Sequence, residues 1–140
     1  MKTTIQKTGK CLCGEVALVA NTVELNVHAC HCNMCRQWTG GPLLAIDCGN
    51  DVEFEGEASI TTYSSSEWAE RGFCSKCGSS LFYKLKQNGQ FIVPAGILNI
   101  ESELVFDHQI FIDSKPSFYC FSNETKNMTG AEVFAQFGPS

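Results

Sequence analysis

The sequence has little positive charge, and this scarcity restricts the partners that the protein can have. There are 10 lysines and arginines against 15 aspartates and glutamates among 140 residues, so the formal net charge is −5. A nucleic-acid-binding protein normally carries a basic stripe along one face, which this composition does not provide. The composition therefore disfavours nucleic acid as a partner and favours small molecules.

We expect neither an export signal nor a membrane span in this sequence. Its first ten residues carry three lysines but no apolar core of a signal peptide. The longest runs without formal charge, residues 25–35 and 87–100, are shorter than the ~20 residues that a membrane helix needs, and Pro94 interrupts the second. We therefore expect a cytoplasmic protein with no membrane partner, and nothing in the sequence indicates its oligomeric state.

No linker, charge block or low-complexity segment divides the chain, which predicts one domain over residues 1–140. Helical patterns are scarce, and the two short ones run from Asn33 to Gly40 and over residues 131–137. Turn residues between short alternating runs predict antiparallel hairpins and meanders, so the expected fold class is mainly β. These runs predict strands at residues 15–20, 23–29, 43–47, 59–64, 80–85, 91–95 and 108–112.

Cysteine is abundant, and its spacing is the strongest indication of function. The chain has nine cysteines, an odd number that fits poorly with a disulfide framework. In a reducing cytosol thiols stay free, so clustered cysteines favour metal binding and disulfides are the lesser alternative. Seven of the nine form two pairs and a triplet: Cys11 and Cys13, Cys74 and Cys77, and Cys30, Cys32 and Cys35.

The two pairs predict one closed zinc site. Gly14 and Gly78 each follow the second sulfur of a pair, and glycine accepts the positive φ of a tight reversal that aims backbone amides at thiolates. Four thiolates leave no free position on zinc, so the cysteines of the pairs are expected to hold a structural ion. The competing hypothesis is a redox role for the second pair, but such a motif belongs near a βαβ pattern, which is absent.

The triplet predicts a second zinc site that is open to substrate. Three protein ligands and a free fourth position are characteristic of catalytic zinc sites. His31 stands between two ligands, so we expect its side chain to point away from a shared ion. Cys48 and Cys120 are most simply buried as small apolar residues. A closed, structural site is the alternative, with the fourth ligand taken from His28, His31, Cys48, His108 or Cys120.

An open zinc held by three thiolates favours sulfur chemistry over hydrolysis. Three thiolates overcompensate the charge of the dication, so bound water is acidified less than at a site made of neutral imidazoles. A substrate thiol in the free position would be held as thiolate, which is its nucleophilic form. Some zinc deaminases also use three cysteines, but they need HxE and PCxxC segments that this sequence lacks.

Four motifs together resemble a known family. The chain reads CxCGEV at residues 11–16, CHCxxCR at 30–36, FCxxCGSxL at 73–81 and HxxFxDxKPxF at 108–118. Their order and spacing resemble the glutathione-dependent formaldehyde-activating enzyme family, also named for centromere protein V. The resemblance implies a β-tent fold of antiparallel strands with two zinc ions per chain. The pairs would hold the structural ion and the triplet the catalytic one, with glutathione as the co-substrate that adds to formaldehyde.

The triplet and the resemblance make an enzyme the first hypothesis: a zinc-dependent carbon–sulfur lyase or synthase acting on a glutathione adduct of a small aldehyde. A zinc module that binds glutathione or another thiol without turnover is the second hypothesis, and a structural two-zinc scaffold is the third. Arg36, directly after the last ligand, is a candidate for contacting a substrate carboxylate, with Arg71 or Lys115 assisting. Each of these cations is more often a solvated surface charge.

Overall fold

The computed structural model describes residues 4–99 and 104–137, and it builds them mainly from β-strands. The predicted fold class, mainly β with little helix, is confirmed. The helices are α1 (Asn33–Thr39) and α2 (Gly130–Phe137), and short 3₁₀ turns lie at Glu57–Ser59, Ala95–Ile97 and Ile112–Ser114. The strands are β1 (Thr4–Lys10), β2 (Ala17–Glu24), β3 (Asn26–Cys30), β4 (Leu43–Asp47), β5 (Val52–Glu55), β6 (Ile60–Ser64), β7 (Ala69–Cys74), β8 (Ser80–Leu85), β9 (Phe91–Pro94), β10 (Val105–Ile110) and β11 (Lys126–Met128).

The strands form two sheets. An antiparallel three-stranded sheet has the order β1-β2-β5, and an eight-stranded sheet has the order β11-β10-β3-β4-β9-β8-β7-β6. The expectation of antiparallel pairing is wrong at one edge of the large sheet, where β10 runs parallel to both β3 and β11. Parallel strands need a long connection instead of a hairpin, so no local turn motif indicates this pairing.

The main core lies between the two sheets. Successive side chains of a strand point to opposite faces, so alternate residues of both sheets supply it. Phe54 of the small sheet packs on Phe82 and Phe91 of the large sheet, with ring centroids 5.4 and 5.6 Å apart. The opposite face of the large sheet is therefore left to form a site. Buried aliphatic side chains of the core include Leu18, Val23, Val27, Ile46 and Val93.

The predicted strands are found, with shifts at their ends. β4 and β8 have the predicted bounds, whereas β2 and β3 are separated at Leu25, several residues later than expected. The sequence patterns do not predict β1, β5, β7 or β11. In β7 the apolar alternation fails because Arg71, a charged residue, occupies a buried position.

The two helices agree with the sequence pattern. α1 begins at Asn33, and Gly40 ends it with a φ of 83° and an N–H that donates to the carbonyl of Arg36. This left-handed conformation is the one that favours glycine after a helix. Neither helix of the described residues has the length and apolar character needed to span a membrane.

We predict that Gly72→Ala destabilises the protein. Gly72 lies opposite Phe82, and a Cβ atom there would come within 2.2 Å of the Phe82 Cζ atom. That ring is buried edge to face against Phe91, so it has no free space to move into. The free energy of unfolding, measured with urea, should fall by about 1–3 kcal/mol, which is the usual cost of overpacking.

Gly41→Ala is the matched control for this substitution. A Cβ atom at Gly41 would meet no atom within 4 Å beyond its chain neighbours. Its urea midpoint should therefore stay close to that of the wild type. A Gly72→Ala midpoint equal to the wild-type value would contradict the close approach of Phe82.

Candidate functional site

The two cysteine pairs meet where the loop after β1 touches the turn between β7 and β8. Cys11 and Cys13 lie in the loop, Cys74 ends β7, and Cys77 lies in the turn. Their Sγ atoms all lie within 4.8 Å of one another. Since β1 belongs to the small sheet and β7 to the large one, this four-cysteine group connects the two sheets.

The sulfur spacing of the four-cysteine group fits a tetrahedral zinc ion. Zinc–sulfur bonds of ~2.3 Å place the sulfurs of a tetrahedron about 3.8 Å apart. The Sγ of Cys13 is 3.6 Å from that of Cys11 and 3.7 Å from that of Cys74. Gly14 and Gly78 have the predicted positive φ, at 80° and 77°. The donor set and its geometry therefore suit a closed metal site.

Local hydrogen bonds prepare these sulfurs to act as anionic ligands. The Ser79 hydroxyl, 3.2 Å from the Cys77 sulfur, lowers the pKa of Cys77 to about 5. The Sγ of Cys11 accepts a hydrogen bond from the backbone N–H of Val16 at 3.3 Å. Donors aimed at a sulfur stabilise its charged form, so thiolates are favoured at Cys11 and Cys77.

The triplet is assembled by the end of β3 and the start of α1. Cys30 is the last residue of β3, Cys32 is the N-cap of α1, and Cys35 lies in the first turn of that helix. Their Sγ atoms lie within 4.8 Å of one another. The Sγ of Cys32 accepts a hydrogen bond from the Cys35 backbone N–H at 3.4 Å, as a capping side chain does. Helix capping therefore fixes the spacing of the triplet.

Within the described residues, no fourth histidine, cysteine or carboxylate joins the triplet. Cys48 is fully buried in the main core, as predicted. Cys120 is exposed, so the expectation that it is buried is wrong; it lies in an irregular segment that packs little of its side chain. The structure thus gives no support to the closed alternative, for which the proposed fourth ligands were His28, His31, Cys48, His108 and Cys120.

His31 points away from the triplet, which confirms the expectation for a residue between two ligands. It is fully buried, and burial lowers its pKa, so the ring is neutral at pH 7. Its Nε2 donates to the Gln109 Oε1 atom at 2.8 Å, and its Nδ1 accepts from the Tyr119 hydroxyl at 2.7 Å. This side chain therefore ties the loop of the triplet to two later segments of the chain.

The three thiols of the triplet perturb one another's acidity. Hydrogen bonds from Cys30 and Cys35 hold the pKa of Cys32 far below its usual range. The contact with Cys32 in turn raises the pKa of Cys30. The first thiolate therefore forms at Cys32, and its two neighbours stabilise that charge as donors.

Arg71 lies beside the triplet, so its interpretation as a solvated surface charge is wrong. Its side chain is only 3% exposed. Its Nη1 lies 3.5 Å from the Cys35 Sγ atom, and its Nε donates to the Ser65 hydroxyl at 3.1 Å. The guanidinium also lies over the rings of Trp38 and Tyr83, 5.1 and 4.8 Å from their centroids.

The triplet opens on a cavity of about 1050 Å³. Its floor is the face of the large sheet that points away from the main core, because Asn26, His28 and Cys30 alternate along β3 on that side. The helix α2 contributes Val133 and Phe134 to the opposite wall. Apolar side chains of the remaining wall include Leu43, Tyr83, Ile92, Ile110 and Phe111.

A polar network that the sequence motifs do not predict lines the cavity beside the triplet. It is centred on His28, which lies two residues before Cys30 on β3. The rings of His28 and His108 stack 5.2 Å apart because the two residues pair in register across β3 and β10. Asp107 accepts hydrogen bonds of 2.6 Å from His108 and from the Asn26 side chain. Burial, reinforced by His108, lowers the pKa of His28 to about 4, so this ring is neutral. The position of His28 two residues before Cys30 was its available sequence signal.

The other cations named from the sequence do not line the cavity. The Nε of Arg36 donates to the His31 carbonyl at 3.0 Å. The Nζ of Lys115 donates to the carbonyls of Pro116 and Tyr119. Both side chains thus hold backbone carbonyls, and a contact between Arg36 and a substrate stays a prediction.

The fold and the two cysteine groups together define a class: mainly β proteins in which one cysteine group joins two sheets and a second opens on a cavity. The profile of the glutathione-dependent formaldehyde-activating enzyme family matches residues 6–114. The chain therefore belongs to this family, and the resemblance read from its four motifs is confirmed.

Two individual relatives agree with this assignment. A protein of Schizosaccharomyces pombe named an uncharacterized lyase is 35% identical over 127 residues, which cover 89% of this chain and 92% of the yeast protein. A crystal structure of a Rhodobacter sphaeroides protein matches with a TM-score of 0.55 at 25% identity, covering 68% of this chain and 91% of the other. The first is similar to this chain in sequence over most of both proteins, and the second is similar to it in fold.

We predict that Cys77→Ser and Cys35→Ser have unequal effects on stability. Cys77→Ser should remove one metal equivalent and unfold or strongly destabilise the protein, since the four-cysteine group joins the sheets and structural zinc in peptides contributes ~10–16 kcal/mol of apparent binding free energy. Cys35→Ser should lose only the other equivalent and keep its fold. Metal content and thermal unfolding measure both effects.

Cys120→Ser is the control, because Cys120 is exposed and belongs to neither group. It should keep the metal content and the unfolding temperature of the wild type. Equal destabilisation by Cys77→Ser and Cys35→Ser would contradict a division between a structural and an open site.

Proposed function

We propose that the protein is a zinc-dependent enzyme that adds the thiol of glutathione to a small aldehyde such as formaldehyde, or cleaves that adduct as a carbon–sulfur lyase. The observation that carries this proposal is a triplet of cysteines that opens on a large cavity, with no fourth protein ligand among the described residues. Membership in the family and the lyase name of the yeast relative support the same class of reaction.

The two cysteine groups suit two ions with different roles. Cys30, Cys32 and Cys35 would hold the catalytic ion, and the four-cysteine group would hold the structural one. When bound, zinc supplies a position at which a substrate thiol is held in its nucleophilic thiolate form. Thiolate donors favour zinc over magnesium, calcium and manganese, which prefer oxygen ligands.

The proposed reaction is an addition that needs no oxidant or reductant. The sulfur of glutathione forms a bond to the carbonyl carbon, the carbonyl π electrons move to oxygen, and the thiol proton ends on that oxygen. Tyr83 lines the cavity, and burial raises the pKa of its hydroxyl, so the hydroxyl stays protonated at neutral pH. It is our candidate hydrogen-bond donor to the aldehyde oxygen.

The cavity suits a substrate of tripeptide size. Its volume of about 1050 Å³ lies just above the ~300–1,000 Å³ typical of small-molecule sites and is far more than an aldehyde alone requires. Ile92, Ile110 and Phe134 give it apolar walls. We propose the cytoplasm as the place of this reaction, because thiols that are to bind metal and substrate persist in a reducing compartment.

We predict that zinc-loaded protein accelerates formation of S-hydroxymethylglutathione above the spontaneous rate. Exchange NMR of mixtures of glutathione and formaldehyde measures the rate with and without protein. Cys35→Ser should return the rate to the spontaneous value, because the triplet loses one of its three donors. Cys120→Ser should keep the wild-type rate.

The same experiment separates the enzyme from the two non-catalytic hypotheses. No acceleration at any protein concentration would overturn the proposed reaction. Saturable glutathione binding in that case would identify a thiol-binding module, whereas absence of binding would leave a scaffold with two structural ions.

A further inference from the structure

Arg71 is a buried cation, and the described part of the chain supplies no carboxylate to balance its charge. Its side chain is 3% exposed, and no carboxylate of the described residues forms an ion pair with it. Burying an unpaired charge is strongly unfavourable, so the guanidinium requires an anion close by. The sulfur in contact with the guanidinium is the Sγ of Cys35, 3.5 Å from Nη1, and this sulfur would be a thiolate when the triplet holds a metal ion.

The charge of the proposed metal centre matches that of Arg71. Three thiolates and one divalent ion leave a single net negative charge. Arg71 adds one positive charge in direct contact with this centre, so the two together are neutral. An arginine suits this position better than a lysine, because a guanidinium remains charged when buried and stacks on aromatic rings.

The surrounding side chains hold Arg71 in this position. Its guanidinium lies over the Trp38 ring of α1 and over the Tyr83 ring of β8, at 5.1 and 4.8 Å from the centroids. Its Nε donates to the hydroxyl of Ser65 at 3.1 Å. Contacts with α1, with β8 and with the residue that follows β6 therefore hold the guanidinium beside Cys35. They disfavour a rotamer that would reach distant parts of a substrate.

We propose that Arg71 is a positioning residue that neutralises the three-thiolate centre and so allows an anionic sulfur ligand to enter. This inference rests on the proposed metal centre. Without Arg71, an entering thiolate joins a centre that is already negative; with Arg71, it joins a neutral one. The arginine thus favours thiols through their sulfur charge and independently of any carboxylate that they carry.

The test compares two thiols on the cobalt-substituted protein. Glutathione carries carboxylates and 2-mercaptoethanol carries none, and sulfur-to-cobalt charge-transfer absorption reports the binding of either. Arg71→Met should weaken the binding of both thiols by the same factor, about 100-fold or more, as when one member of a buried charge pair is removed. Arg71→Lys keeps the charge, so it should weaken the binding of both thiols by the same factor, and by less than Arg71→Met does.

Lys84→Met is the matched control. It removes one cation from the same hairpin, but Lys84 lies over the Phe91 ring and does not line the cavity. It should bind both thiols as the wild type does. Circular dichroism checks the fold of each variant, and Arg71→Lys carries the comparison if Arg71→Met does not fold.

Two results would overturn the proposal. Unchanged thiol affinity in folded Arg71→Met would show that the charge is not needed, and weakened binding of glutathione alone would assign Arg71 to carboxylate recognition. A wild-type protein that binds both thiols but does not accelerate adduct formation would overturn the proposed reaction and leave the role of Arg71 intact.

Discussion

The two-residue alternation of β3 is the constraint on which the fold and the candidate site both depend. Val27 packs into the main core. Neighbouring residues of a strand point to opposite faces, so His28 and Cys30 point away from the main core and face the cavity. A slip of one residue would bury the cavity side chains between the sheets and expose the core residue. Because Cys32, the N-cap of α1, lies two residues after the last residue of this strand, the core packing of β3 also determines where the triplet lies.

Much of both cysteine groups could be predicted from the sequence, because the spacing within each pair or triplet is a local property. Gly14 and Gly78 identify the reversals that aim amides at sulfur, and both have the expected positive φ. β4 and β8 follow in the same way from apolar alternation within a few residues. The meeting of the two pairs was predictable only through coordination chemistry, since four ligands are needed to close one zinc ion.

Features that depend on contacts between distant segments could not be predicted. Arg71 follows Glu70 in a strand without apolar alternation, and its burial depends on Trp38 and Cys35 of α1, which lie far from it in the sequence. For this reason the sequence pattern favours a surface charge at this position. The stacking of His28 on His108 likewise requires the parallel pairing of β3 with β10, which no turn motif announces.

Because β10 lies far along the chain from its partner β3, the surroundings of the two cysteine groups are completed at different times during synthesis. A ribosome releases about 5–20 residues per second, and contacts between distant segments form slowly. All residues of the four-cysteine group have left the ribosome once Cys77 has emerged. This group can therefore connect the two sheets early. The wall that β10 and α2 give to the cavity emerges later. During synthesis, the triplet therefore leaves the ribosome before the strand and the helix that wall its cavity.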